Sequence, residues 1–317
     1  MSLVAASVAF VLLQQAPGTP SELALGDPRM DAVARAAWAR GFDADATPVA
    51  RWAHFVRAVV GGDFGWSWSQ QRPVVAVLAD TIPYTAVLTA PALVLALLAG
   101  VWLGSRGALD AMLSPSGMSR RAVPIPVRMI AAVPPAWLAL MMAAVFGASL
   151  EVLPFQGACN PRDCASLQWA MPSSWWARLP YLVLPVGTLT LVLLPLFTRL
   201  QWLAARDARV RTHVLAAVSR GLPRALVLRR HLLRLTWLPL ASAAALAMPL
   251  LLGGAVFVER VFAWPGLGST LLLAVASRDY PLVAAISACL AGAGVVATRV
   301  AELVSARLDP RPNGASA

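Results

Sequence analysis

Apolar residues along this chain gather into long runs separated by arginine-bearing segments. Five runs, at about 81–103, 123–149, 180–203, 236–257 and 281–304, each reach the roughly 20 residues that carry an α-helix across a hydrocarbon layer about 30 Å thick. Residues 1–13 are also apolar but shorter, covering about 20 Å as a helix. They lack the charged flank and the small-residue cleavage site of a secretory signal, so they read as a shortened first membrane helix and bring the expected count to six. Pro91, Pro134, Pro135, Pro185, Pro195 and Pro249 fall within the runs, which membrane helices tolerate where neighbours repair the backbone.

The polar intervals differ in character. Residues 14–79 form the long polar stretch, with a mixed-charge helical piece over Asp31–Arg40 and an amphipathic piece over Pro48–Val60. The latter places Val49, Trp52, Phe55, Val56 and Val59 on one side. Gly61–Ser69 then reads as a turn whose Trp66 and Trp68 suit a membrane interface. The interval Arg199–Pro239 is basic, with Asp207 as its one acid. In it Val210, Val214, Ala217 and Val218 recur at helical spacing, and the piece ends at Gly221 with Pro223 soon after. Such a helix is too short and too charged to cross a bilayer, so it is expected to lie against the membrane face, in a loop spanning 204–234. The predicted organisation is a first helix with an extracytoplasmic segment over 1–79, a transmembrane core over 80–306 and a tail over 307–317.

Composition narrows the class. The chain is 59% apolar and 13% charged, with a mean hydropathy of +0.68, the profile of a polytopic membrane protein. Its net charge of +11 resides in loops between apolar runs, where membrane topology explains it better than nucleic acid does. All 26 basic residues are arginine, so no phosphate-binding loop with its lysine exists, and any ATP must bind another chain. With Arg199–Arg234 inside, 105–128 and the end from Arg299 are also inside and richer in arginine than the outside segments, which puts both termini in the cytoplasm.

None of the five clear runs buries a carboxylate near its middle. Ion-coupled carriers use such acids, so the energy is expected to arrive through a cytoplasmic contact. No nucleophile, paired acid or metal cluster points to an enzyme, and no cofactor is expected; His213 and His231 stand without catalytic company. Cys159 and Cys164 permit a small disulfide or two unpaired thiols. The alternative function class is an ATP-independent channel or carrier whose basic loop touches lipid.

Three segments resemble the permease subunits of dipeptide, oligopeptide and nickel ABC importers of bacteria. Gly253–Val283 resembles that family's E-x-x-F-x-W-P-G-L-G…R-D-Y-P signature, with Glu259, Phe262, Trp264, Pro265, Gly266, Leu267, Gly268, Arg278, Asp279, Tyr280 and Pro281 at its spacing. Gly221, His231, Arg234 and Pro239 follow the spacing of its coupling loop, and Gly26–Pro28 with Gly61–Trp68 resemble its landmarks after the first helix. The resemblance implies an all-α membrane protein with six transmembrane helices in the type I importer permease fold. It also implies a second similar permease, two cytoplasmic ATPases and an extracytoplasmic solute-binding protein, in a bacterial inner membrane. The coupling motif would be Leu215, Ala216, Ala217, Arg220 and Gly221, with Leu215 where importers generally carry Glu. The Trp264–Gly268 turn has two readings: a tight turn anchored by interfacial aromatics, or a contact for the binding protein. Thr85, Thr89, Thr188, Thr190, Ser242 and Ser287 are candidates along a solute path, with helix packing as the other reading of each hydroxyl.

Overall fold

The computed structural model describes Arg57, Gly61 and residues 64–67, 69–113, 124–158, 172–209, 212–223, 226–277 and 279–308. The expected first span, the pieces at 31–40 and 48–60 except Arg57, Trp68, Cys159, Cys164, Arg278 and 309–317 lie outside the described residues.

The described chain begins with a small antiparallel hairpin, β1 (Trp66–Ser67) and β2 (Arg72–Pro73), in the register Trp66↔Pro73 and Ser67↔Arg72. Gly65 and Gln71 adopt positive φ at its bends, and the Val74 N–H donates to the Gly65 carbonyl at 3.0 Å. Eight helices follow: α1 (Val74–Leu113), α2 (Ile125–Ile130), α3 (Pro135–Met142), α4 (Pro172–Arg209), α5 (Thr212–Ser219), α6 (Leu233–Val261), α7 (Leu267–Ala276) and α8 (Tyr280–Leu308). π-helical stretches extend α3 over Ala143–Ser149 and precede α6 over Val227–Leu232.

Among the described residues, four segments are long and apolar enough to cross a membrane: Val74–Ala108, Arg178–Asp207, Pro239–Val261 and Pro281–Leu303. They correspond to four of the five clear runs. The fifth, 123–149, is not continuous: α2 ends at Ile130, and a bend leads to the shorter apolar helix Pro135–Ser149. Consecutive prolines explain the break. Pro134 takes extended backbone (φ −59°, ψ 141°) as the N-cap, because the residue before a proline is driven out of the α region, and Pro135 opens the next helix.

The bundle is built on the packing of α1 against α4. Gly100 and Gly104 stand where added Cβ atoms would lie 2.5 Å from Phe197 Cβ and 2.6 Å from the Thr198 carbonyl oxygen. Two glycines one turn apart thus let the helix backbones meet, the usual device where apolar lipid supplies no drive to associate. Leu88, Ala92 and Ala96 of α1 interlock with Leu189, Leu193 and Phe197 of α4, and Leu251, Ala255 and Val258 of α6 close the same core. Beside Gly104, the buried Gln201 Nε2 of α4 donates to Ser105 Oγ of α1 at 2.7 Å. A second core joins Val74, Val77 and Leu78 of α1 to Leu267 and Ala274 of α7 and to Leu282, Ala285 and Ile286 of α8.

Candidate functional site

The first part of the signature, Glu259–Gly268, folds into one turn organised by a buried carboxylate. Helix α6 ends just after Glu259, and Ala263, at φ 50°, turns the chain while the Trp264 N–H closes onto the Glu259 carbonyl at 2.8 Å. Helix α7 starts three residues later, after Gly266, which has no side chain to cap it. Its first N–H groups are satisfied from a distance. The Leu267 N–H donates to Thr85 Oγ1 at 2.7 Å, and the Ser269 N–H donates to Glu259 Oε2 at 2.9 Å. The Gly268 N–H also bonds the Glu259 carboxylate. Thr85 Oγ1 in turn donates to Glu259 Oε1 at 2.7 Å, so its hydroxyl accepts from α7 and donates to α6.

This arrangement answers two physical demands at once. The first turn of a helix presents unpaired N–H groups and the positive end of its dipole, both of which favour an anion. A carboxylate fully removed from solvent, as Glu259 is, requires that its oxygens be met by donors. The glycines of the signature follow from the same geometry. A Cβ at Gly266 would lie 2.3 Å from Glu259 Oε1, and one at Gly268 would lie 2.5 Å from Val256 Cα. Thus Glu259 and the two glycines form one spatial unit.

The Trp264 ring is fully buried, and its N–H donates to the Tyr84 carbonyl at 3.0 Å. Tyr84 meets it edge-on with centroids 5.8 Å apart, and the buried Arg178 guanidinium lies 5.5 Å from the Tyr84 ring. Phe262 is likewise buried, and its carbonyl accepts from the Gly157 N–H at 2.9 Å. These two aromatics therefore pack inside the protein rather than on its surface. The buried indole N–H is satisfied because the Tyr84 carbonyl accepts its hydrogen bond.

Asp279 organises a second junction. It is fully buried, and its Oδ2 accepts from Ser67 Oγ at 2.6 Å, Ser69 Oγ at 2.7 Å and the Ser69 N–H at 3.1 Å. Its Oδ1 accepts from the Leu282 N–H at 3.3 Å, capping α8. One side chain thus fastens the β1–β2 hairpin to the start of α8. The sequence reading did not single out Ser67 and Ser69; the serines within the G-W-S-W-S stretch were the available signal. Tyr280 is the first residue of α8.

The proposed coupling residues lie on and just after α5. The helix ends in a Schellman arrangement: the Leu222 N–H donates to the Ala217 carbonyl at 3.3 Å and the Gly221 N–H to the Val218 carbonyl at 3.0 Å. Gly221 takes φ 72°, which explains a glycine there. Val214 and Ala217 are buried against Val227 and Leu222 in a small core of their own. Of the expected stripe, Val218 is exposed, as are Arg220 and Gly221; Ala216 is half-buried and Leu215 lies in the same helix.

The hydroxyl candidates are placed on four helices. Thr85 belongs to the Glu259 cluster, and Thr89 Oγ1 donates to the Thr85 carbonyl at 2.8 Å. Thr188 Oγ1 bonds the Leu184 carbonyl at 2.8 Å, while Thr190 Oγ1 reaches the Ala92 carbonyl on α1 at 3.4 Å. Ser242 is exposed on α6 and Ser287 is half-buried on α8.

Comparison with known proteins identifies the family. A profile described as binding-protein-dependent transport system inner membrane component matches residues 92–313. The oligopeptide transport system permease protein AppB of Bacillus subtilis is 26% identical over 305 residues, covering 96% of this chain and 92% of its own. The glutathione transport system permease protein GsiC of Salmonella typhimurium is 27% identical over 310 residues, covering 97% of this chain and 93% of its own. Among solved structures, an inward-facing form of the MetNI methionine ABC transporter superposes with a TM-score of 0.54 at 15% identity, covering 74% of this chain and 97% of that chain. That likeness shows the shared fold, the type I permease architecture. The chain belongs to the binding-protein-dependent transport system inner membrane components and is a permease subunit of an ABC importer.

Proposed function

We propose that this chain forms one half of a translocation path for peptides or a similar small solute, and that it is moved by separate ATPases gripping α5. The observation that carries the reading is α5 itself: a short helix between α4 and α6, closed at Gly221 by its Schellman bonds and resting on its own small core. A helix finished in this way acts as a rigid knob. When two ATPases close on ATP, knobs seated in their clefts are drawn together and the bundle above changes its access. Arg220 stands exposed beside the knob, available to a carboxylate on the ATPase or to lipid headgroups. Leu215 replaces the usual acid, so the grip relies on shape and on arginine more than on a glutamate.

The complete assembly in this reading has a second, similar permease, two cytoplasmic ATP-binding subunits and an extracytoplasmic binding protein that selects the solute. The peptide class is supported by the relatives, one an oligopeptide permease and one a glutathione permease. Both termini and α5 lie on the cytoplasmic side of the inner membrane, while the hairpin and α7 lie on the other. The roles of Leu215, Ala216, Ala217, Arg220 and Gly221 in coupling, and of the six hydroxyls along the path, belong to the same proposal.

Co-expression with candidate ATPases tests it. The full chain is expected to co-elute with them, and deletion of Ala216–Gly221 is expected to abolish co-elution while the permease stays folded. Undiminished co-elution after that deletion rules the assignment out.

A further inference from the structure

The π-helical stretch Val227–Leu232 touches α4, α5 and α6. Its π character is seen at its end, where the Leu233 N–H donates five residues back to the Leu228 carbonyl. Two consecutive residues on it face different cores. Val227 is buried with Val214 and Ala217 of α5 and with Leu222. Leu228 packs against a separate cluster formed by Ala108 of α1 and Ala205 of α4, together with Trp202. The side chains that hold α5 and those that meet the ends of α1 and α4 are thus neighbours in sequence on one rigid turn.

From this placement, and resting on the assignment of α5 as the ATPase contact, we infer that Val227 and Leu228 form a two-sided joint. Val227 holds the knob helix, and Leu228 passes its displacement to α1 and α4. The buried partners on the Leu228 side, Ala108 and Ala205, are small, so a displaced isobutyl group presses close to the helices that carry them. The helices it presses are the two already locked by Gly100, Gly104 and the Gln201–Ser105 bond, so they respond as a pair. Successive residues of a helix point about 100° apart, so two neighbours can face separate cores, and π-turns such as this one recur at functional positions. Leu228 is a positioning residue in this scheme; it touches neither solute nor nucleotide.

The test uses the full importer in nanodiscs with its ATPases, with the native cysteines replaced by serine. Spin labels are placed at the exposed Leu203 of α4 and Leu246 of α6, and the probe is ATP with vanadate. The parent complex is expected to show a nucleotide-dependent change in the label distance. Leu228→Ala is expected to diminish that change while keeping ATPase co-elution, and Leu228→Met, which preserves volume, is expected to restore it. Coupling between nucleotide and label distance should fall about two- to thirty-fold in Leu228→Ala, the range found for residues lying between coupled sites. Val227→Ala is expected to weaken co-elution instead. A full distance change in Leu228→Ala overturns the joint while leaving the α5 reading intact, and failure of the parent to co-elute overturns the α5 reading first. Loss of assembly in Leu228→Ala together with normal assembly in Val227→Ala also overturns it, since Leu228 would then hold the fold rather than transmit movement.

Discussion

Glu259 and Gly266 show how a motif in one dimension becomes a volume constraint in three. Gly266→Ala would place a methyl group 2.3 Å from a carboxylate oxygen whose partners, Thr85 and Ser269, hold it in place. The expected cost is about 1–3 kcal/mol, read as a lower Tm of the purified permease in detergent. Gly253→Ala, within α6, serves as the control. Nothing lies within 4 Å of its added methyl, so it should leave Tm unchanged or raise it slightly. Glu259→Gln is expected to cost a similar amount, about 1–3 kcal/mol. Its amide NH2 must replace one carboxylate oxygen and face either the Thr85 hydroxyl or the N–H groups of α7, leaving a buried donor unmatched. A Tm for Glu259→Gln equal to that of the parent would show that the carboxylate does not hold the turn.

Among the elements, α5 and α7 make the instructive contrast. Gly221→Ala meets no steric obstacle, since nothing lies within 4 Å, so its penalty comes from φ 72° alone. That conformation costs an alanine about 1 kcal/mol, and an asparagine less. ATPase co-elution is expected to weaken in Gly221→Ala and to recover in Gly221→Asn. The end of α5 was legible in the sequence because Gly and Pro mark helix ends locally. The four long apolar helices were legible for a similar reason, since hydropathy is a property of a window. The interval between the last two apolar runs showed only the Trp264–Gly268 turn, yet it contains α7. Its apolar residues are too few to span a bilayer, and its caps are contributed from elsewhere: Thr85 from α1 and Glu259 from α6. The division of 123–149 was visible in Pro134–Pro135, but prolines inside the other runs are absorbed without a break, as Pro83 and Pro91 are within α1. Local pattern does not distinguish the two outcomes; packing against neighbours does.

At the scale of the whole molecule, the glutamate of the signature was legible but its partner was not. Thr85 stands 174 positions before Glu259 and was selected only as one hydroxyl among six. Periodicity carries no information about such pairs, and only the packing of α1 against the α6–α7 turn creates them. Topology can be tested at this scale. A cysteine at Val218 should react with impermeant maleimide only after the inner face is opened, and one at Gln70 should react in intact cells. Reversal of that pattern would overturn the orientation.

The fastening of Ser67 to Asp279 joins positions 212 residues apart. During synthesis the hairpin therefore emerges long before the aspartate that will hold it. The membrane helices between them can insert in turn, while Ser67 and Ser69 wait for the start of α8. Nascent chains arrested before Asp279 should have this segment open to protease, and chains released after α8 should protect it. Biogenesis would then include a latch that closes only when the polypeptide has been translated into α8.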